Sequence, residues 1–318
     1  MLKTYKFTEN GYTPAPPEEA EFFALTKPDR HEIAALAASM EIPPHFLSDP
    51  LDSKERPRVE QEGPYTLVII RVPVLRETGL ERAPAKVRAR RQSQSTASLG
   101  IILARDKVIT VSYREAMVHC LLNRPARKPL PKDPVSLAFK LFIESSVDFI
   151  SQLERLESLT DRAELNLSRA QQNEEIMTLL AIDKLLIHYS VALKSNRNIM
   201  EKLLDPQVIQ LGPGEAAHLE RALTENQQAI YMADIFGQVL GSMSDAFGTI
   251  ISNNLNKVVK FLTGVTIILM LPTFIVGVYG MNTRLPLAGH AHAFWLVILF
   301  CLVSCAALWL VFRLKKWL

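Results

Sequence analysis

The sequence predicts an α/β domain in residues 1–134, long helices after it, and a two-helix transmembrane hairpin near the C-terminus. Proline placement separates the first two parts, because fifteen of the 19 prolines lie in residues 1–134 and proline breaks helix interiors. Two windows without any charged residue, 261–281 and 293–312, define the third part. The net charge of +3 is too small to indicate a nucleic-acid partner.

In the first 134 residues, β-branched runs predict strands and periodic segments predict short helices. We expect strands at 64–75, 98–105 and 107–113, with Asp106 in a turn between the last two, and helices at 18–25 and 30–40. These elements together predict a mixed α/β cytoplasmic domain.

Three- and four-residue spacing of apolar side chains predicts long antiparallel helices in residues 135–212. From residue 213 onward the pattern shows no strong stop signal before Asn282. We therefore expect a stalk helix in residues 213–260 that continues into the first uncharged window.

Each uncharged window is long enough to cross a hydrocarbon core of about 30 Å as a helix, and buried helices of soluble proteins rarely lack charge over such a length. The predicted spans are 261–281 and 293–312, with an outer loop at 282–292 and a basic tail at 313–318. Lys and Arg are concentrated on the outer flanks of the pair: Lys257, Lys260, Arg313, Lys315 and Lys316. This excess predicts a multi-pass protein of the cell membrane with both termini in the cytoplasm.

One face of the stalk helix and first span is polar below the membrane and mostly apolar within it. Steps of three or four residues trace it through Met270, Thr266, Leu262, Val259, Asn256, Ser252, Thr249, Asp245, Ser242 and Gln238. This stripe is either the solvated face of an amphipathic helix or the lining of a water-filled axis where identical helices meet. Because a single hairpin encloses no lumen, the second interpretation requires an oligomer.

Four segments near the C-terminus carry a recognisable pattern: Tyr279-Gly280-Met281-Asn282 at the outer end of the first span, residues 252–260 before the membrane, residues 270–277 in its middle and the basic ending 313–318. Together they resemble the CorA family of divalent-cation transporters. The close resemblance covers residues from about 234 to 318. The predicted order of an α/β domain followed by long helices in the preceding residues is compatible with the same family.

The resemblance implies a homopentameric funnel in which the first span lines the pore and the second packs outside it. It implies an outer mouth formed by Gly280, Met281 and Asn282, where Asn282 contacts a hydrated metal ion. The implied pore-lining residues are Asn256, Val259, Leu262, Thr266 and Met270, with Asp245 in the cytoplasmic section. The helical stripe adds four polar residues to that section: Ser252, Thr249, Ser242 and Gln238. The family also implies regulatory cytoplasmic Mg²⁺, but no sequence motif identifies the ligands.

These features predict a divalent-cation channel for Mg²⁺, with Co²⁺ and Ni²⁺ as further candidate ions. We expect the membrane potential to drive transport. We expect neither an enzymatic activity nor a cofactor. The outer loop carries no acid and contains Arg284, His290 and His292, which keeps open a proton-coupled zinc transporter of the ZntB type. A membrane-anchored sensor or scaffold is the alternative from a different class.

Overall fold

A seven-stranded mixed sheet and four long helices dominate the computed structural model. It describes residues 1–8, 11–74, 95–104, 106–113, 131–170, 173–282, 286 and 292–315, with the side chains of 165–170 and 173–175 excluded. Two compact units are present, Met1–Leu240 and Gly241–Leu318.

The sheet belongs to the first unit and has the strand order β2-β1-β3-β7-β6-β5-β4. Its strands are β1 (Leu2–Thr8), β2 (Gly11–Pro14), β3 (Phe22–Thr26), β4 (Arg58–Glu62), β5 (Tyr65–Pro73), β6 (Thr96–Leu103) and β7 (Val108–Ser112). The β3–β7 pair is parallel and the other pairs are antiparallel. The strands predicted around 64–75, 98–105 and 107–113 are thus confirmed with slightly shorter bounds.

Helices cover both faces of the sheet. The short helices α1 (Arg30–Met40) and α2 (Pro44–Ser48), followed by a 3₁₀ turn at Asp49–Leu51, lie on one face. Alternate residues of β5 point to opposite sides, so that Leu67 and Ile69 join the α1/α2 core while Val68 and Ile70 join the core with the long helices. Burial on both faces accounts for the nearly continuous apolar runs in these strands.

The predicted helix at 30–40 is confirmed, and a capping box fixes its start. Asp29 Oδ1 accepts the Glu32 backbone N–H at 2.8 Å, and Glu32 Oε2 accepts the Asp29 N–H at 3.1 Å. These two bonds satisfy donors that the first helical turn leaves open.

The predicted helix at 18–25 is wrong. Residues 17–19 form a turn, and Phe22–Thr26 is strand β3, paired with β1 on one side and β7 on the other. Phe22 and Phe23 are both fully buried, on opposite faces of the sheet. Tertiary pairing and two-sided burial therefore override the local preference of this alanine- and glutamate-rich segment for helix.

Four long helices follow the sheet: α3 (Pro134–Ala170), α4 (Asn173–Leu203), α5 (Pro213–Tyr279) and α6 (Ala293–Leu314). Proline starts α3 and α5, where its missing N–H costs nothing. Acidic side chains cap both starts, since Asp133 accepts the Ser136 N–H at 2.6 Å and Glu215 accepts the Gly212 N–H at 2.6 Å. The long helices are confirmed, and α5 runs without interruption over 67 residues.

Candidate functional site

The candidate site is the exposed face of α5 in the second unit. Its predicted members are all solvent-exposed in the single chain: Ser242, Asp245, Thr249, Ser252, Asn256, Val259, Leu262, Thr266 and Met270. Gln238, in the first unit, is exposed as well. Leu262 and Met270 keep 63% and 67% of their surface, a large exposure for apolar side chains that a lipid or protein partner would cover.

Hydroxyl groups on this face are oriented as acceptors. Thr249 Oγ1 donates to the Asp245 carbonyl at 3.1 Å, and Thr266 Oγ1 donates to the Leu262 carbonyl at 2.8 Å. Because each hydroxyl hydrogen is used within the helix, the oxygen lone pairs remain for outside donors. The water shell of a cation presents such donors.

The electrostatic character of this face is set by one carboxylate. Asp245 is exposed, and the other stripe residues are neutral. Along the stripe, α5 carries two cationic side chains, Lys257 and Lys260, both exposed. Each follows a stripe residue by one position, which turns it about 100° around the helix. The stripe itself is therefore neutral to acidic and suits a cation.

The opposite side of α5 faces α6 within the second unit. Gly264 is buried, and the Ile268 carbonyl lies 3.6 Å from Cys305 Sγ of α6. These two residues follow Leu262 and Thr266 by two positions each, which places them about 200° away around the helix. The stripe therefore points away from the second apolar helix.

The same face continues beyond Met270 through Thr273 and Gly277, two residues that the sequence analysis missed. Both are exposed, and Thr273 Oγ1 donates to the Leu269 carbonyl at 2.8 Å. A Cβ added to Gly277 would meet no atom within 4 Å. Continuing the three- and four-residue steps toward the end of the helix would have identified them.

The predicted mouth residues lie just beyond the end of α5. The Gly280 N–H donates to the Val276 carbonyl at 2.9 Å, and the Met281 N–H donates to Val278 at 3.2 Å. A Cβ on Gly280 would lie 3.4 Å from the Val276 carbonyl oxygen, at the lower limit of ordinary van der Waals contact. Met281 and Asn282 are both exposed.

Within the predicted outer loop 282–292, the structure describes Asn282, Pro286 and His292. Arg284 and His290 lie outside the described residues, while His292 is exposed directly before α6. Tyr279 Oη lies 3.5 Å from the Pro286 carbonyl, which is a contact between the helix end and the loop.

By length and composition, three helical segments in the described residues could cross a membrane: Ile176–Leu203, Pro213–Tyr279 and Ala293–Leu314. The first belongs to α4, whose Leu186, Leu193 and Met200 are buried in the first unit. In the other two, only 6% of the most apolar window is buried. They contain residues 261–279 of the first predicted span, whose helix ends two residues earlier than expected, and all of the second. Their apolar surface lacks cover in a single chain.

A family model described as the CorA-like Mg²⁺ transporter protein matches residues 18–316. The chain belongs to this family. The match extends through both units and so includes strands β3 to β7, the long helices and the two apolar segments. CorA proteins are membrane ion transporters, and the chain is accordingly a membrane protein.

Related proteins support this assignment. The chain is 25% identical over 297 residues to the cobalt/magnesium transport protein CorA of Methanocaldococcus jannaschii, covering 92% of this chain and 89% of that protein. The complete structure of the CorA magnesium transporter from the same organism matches with a TM-score of 0.83 at 22% identity, over 100% of this chain and 99% of that one. The predicted fold class, an α/β domain followed by long helices, is thereby confirmed.

Two further solved structures share the fold at lower identity. Full-length CmaX matches with a TM-score of 0.72 at 19% identity, over 99% of this chain and 97% of that one. The ZntB cytoplasmic domain from Vibrio parahaemolyticus matches with a TM-score of 0.59 at 12% identity, over 79% of this chain and 98% of that one. At such identities these similarities concern the fold alone.

Proposed function

We propose that the chain is one subunit of a homopentameric Mg²⁺ channel in which the stripe on α5 lines the pore. The observation that carries this proposal is the orientation of α5: its acceptor-bearing face points away from α6, while Gly264 and Ile268 face that helix. In this arrangement the apolar part of α5 and α6 form a membrane hairpin, with both termini in the cytoplasm. CorA-family membership supports divalent-cation transport.

Around a five-fold axis, each stripe residue becomes a ring with its own physical role. Asp245 raises the local cation concentration electrostatically, and Asn256 and Thr266 accept hydrogen bonds from water bound to the ion. Leu262 and Met270 form apolar constrictions that can close by dewetting. The pathway thus alternates between rings that hold hydrated ions and rings that control their passage.

The outer mouth, at Gly280, Met281 and Asn282, selects the hydrated ion. Mg²⁺ holds its octahedral water shell tightly, with oxygen atoms at about 2.1 Å, so neutral acceptors can recognise the intact shell. A ring of Asn282 oxygens binds such a shell weakly enough for release. Co²⁺ and Ni²⁺ are further candidate ions for the same pathway.

The driving force in this proposal is the membrane potential. It is worth about 2.3 kcal/mol per elementary charge per 100 mV, and hence about twice that for a divalent ion. The segments 261–281 and 293–312 contain no Asp, Glu or His, so neither offers a side chain for proton relay. The chain requires no enzymatic cofactor for this process, and Mg²⁺ is its cargo.

The proposal is tested by Mg²⁺ flux into liposomes that contain the purified full-length protein and an internal Mg²⁺-sensitive dye. Wild type is compared with Asn282→Ala at the mouth and with Asn254→Ala as the matched control. Asn254 lies on α5 two residues before Asn256, about 200° around the helix from the stripe. We expect Asn282→Ala to abolish selective Mg²⁺ entry and Asn254→Ala to retain wild-type flux.

Other outcomes point to the other hypotheses. Zn²⁺ entry that acidifies or alkalinises the lumen, without Mg²⁺ entry, would assign the chain to proton-coupled zinc transport of the ZntB type. A folded oligomer that moves neither ion would favour the sensor or scaffold. Equal loss of flux in both alanine variants would contradict the assignment of the mouth.

A further inference from the structure

Three metal-ligating side chains converge in the first unit, on residues outside the proposed pore. His45 Nε2 lies 3.3 Å from Glu60 Oε1 and 3.7 Å from Glu62 Oε2. One ligand atom from each residue lies within 4.8 Å of the other two. His45 is on α2, whereas both glutamates are on β4.

The backbone fixes this convergence. Glu60 and Glu62 are two positions apart on a strand, so their side chains leave the same face. Strand β4 is the last strand at its edge of the described sheet, and Glu60 is paired with Leu67, whose side chain lies on the face that α2 covers. The His45 ring also packs edge-on against Phe46, with centroids 4.8 Å apart. The donors therefore come from two elements that the fold holds together.

The distances fit a small metal ion. Zinc binds histidine nitrogen and carboxylate oxygen at about 2.1 Å, so two ligands of a tetrahedral site lie about 3.4 Å apart. The separations of 3.3 and 3.7 Å bracket this value. The Glu62 side chain is 58% exposed. Its carboxylate therefore has room to move toward Glu60 and bring the distance between their ligand oxygens to a similar value.

Glu60 is already oriented by a neighbour. Its Oε2 accepts Arg58 Nε–H at 2.9 Å, which leaves Oε1 toward His45. Arg58 is itself held by Asp49, at 2.7 Å, and by Glu55. Ligating carboxylates commonly carry such a supporting hydrogen bond, which fixes the lone pair that faces the metal.

The geometry points to a first-row transition-metal site formed by His45, Glu60 and Glu62, with water completing the coordination. Imidazole nitrogen favours Zn²⁺, Co²⁺ and Ni²⁺, whereas Mg²⁺ prefers an all-oxygen octahedron. An open groove beside the cluster, lined by His45, Glu62, Arg30 and Glu41 among others, provides the entry path. The site is independent of the proposed transport pathway.

The test is Zn²⁺ titration of the full-length protein in detergent, by calorimetry, in a large excess of Mg²⁺ that occupies oxygen-only sites. His45→Gln and Glu62→Gln each remove one donor, and His31→Gln is the matched control because His31 is exposed on α1. We expect both donor variants to weaken one Zn²⁺ site by about a hundredfold or more, since even losing a supporting hydrogen bond costs ten- to a hundredfold. The control should keep wild-type affinity.

A second readout reports the ligand set directly. Co²⁺ bound at the site should show visible absorption that His45→Gln changes and His31→Gln preserves. Melting curves without metal identify any variant that has lost its fold, in which case the remaining donor variant decides. Unchanged Zn²⁺ affinity in folded donor variants, or equal loss in His31→Gln, would overturn the site. Neither result depends on whether the protein transports Mg²⁺.

Discussion

Replacing Asn196 by leucine should loosen the contact between α4 and the sheet. Strand β4 begins at Arg58, opposite Ile69 of β5, so the edge of β5 beyond Ile69 has no partner from β4. Asn196 substitutes for that partner: its Oδ1 accepts the Arg71 N–H at 2.8 Å, and its Nδ2 donates to the Arg71 carbonyl at 2.7 Å. Asn196 is 1% exposed.

Leucine has nearly the same volume but can make neither bond. An intramolecular hydrogen bond contributes about 1 kcal/mol net, and a buried group left without a partner costs about 1–3 kcal/mol. Two such bonds give an expected loss of about 2–4 kcal/mol in local stability. A loss of 2 kcal/mol corresponds to about a thirtyfold faster exchange of the Arg71 amide hydrogen, if exchange follows local opening.

The assay is hydrogen–deuterium exchange of the full-length protein, resolved by fragmentation within β5. Asn198→Leu is the matched control, because Asn198 is an exposed residue two positions further along α4, and exposed substitutions usually change stability by less than about 0.5 kcal/mol. Wild-type protection of the Arg71 amide in Asn196→Leu would show that the Asn196 side chain does not hold this part of β5. Equal acceleration in both variants would show that the helix, and not the side-chain bond, sets the protection.

Three further predictions concern other parts of the chain. Gly100→Ala should lower the melting temperature, because the added Cβ would lie within 2.6 Å of the Pro50 ring and overpacking costs about 1–3 kcal/mol. Gly214→Ala is the control and should leave the melting temperature unchanged, because its Cβ would meet no atom within 4 Å. Tyr12→Phe should lessen the loss of stability in alkali: burial raises the pKa of Tyr12, so the unfolded state ionises first and wild type weakens as pH rises above about 10. Urea unfolding at pH 8 and 11 checks this, and an equal loss in both proteins would contradict it. Gly277→Ala should reduce Mg²⁺ flux in liposomes, because five added methyl groups narrow the proposed pore. It should not lower the melting temperature, because alanine favours helix over glycine by about 1 kcal/mol. Wild-type flux in this variant would show that Gly277 does not line the pore.

Helical periodicity made the long helices and the α5 stripe predictable. The stripe needed only one continuous helix, and α5 extends unbroken from Pro213 to Tyr279. Local pattern failed at Phe22–Thr26, where sheet partners distant in sequence determine the conformation. The edge strand β4 was missed for a related reason, since its segment RVEQE is mostly charged.

The candidate metal cluster was beyond the reach of sequence motifs. His45 precedes Glu60 by 15 residues, a separation that matches no common ligand spacing, and only the packing of α2 on one face of the sheet brings the two together. The pair Glu60 and Glu62 carries a weak local signal, because alternate residues of a strand share a face. That signal is common on solvated edge strands and does not by itself indicate metal.

The most direct test of the pore assignment is the effect of a cationic thiol reagent on Mg²⁺ flux through single-cysteine variants. In a background with Cys120, Cys301 and Cys305 replaced by serine or alanine, Thr266→Cys would place the thiol on the stripe. Ile268→Cys would place it on the side that faces α6. We expect the reagent to block flux through Thr266→Cys and to leave flux through Ile268→Cys unaffected. Equal inhibition of both, or inhibition of Ile268→Cys alone, would contradict the pore assignment.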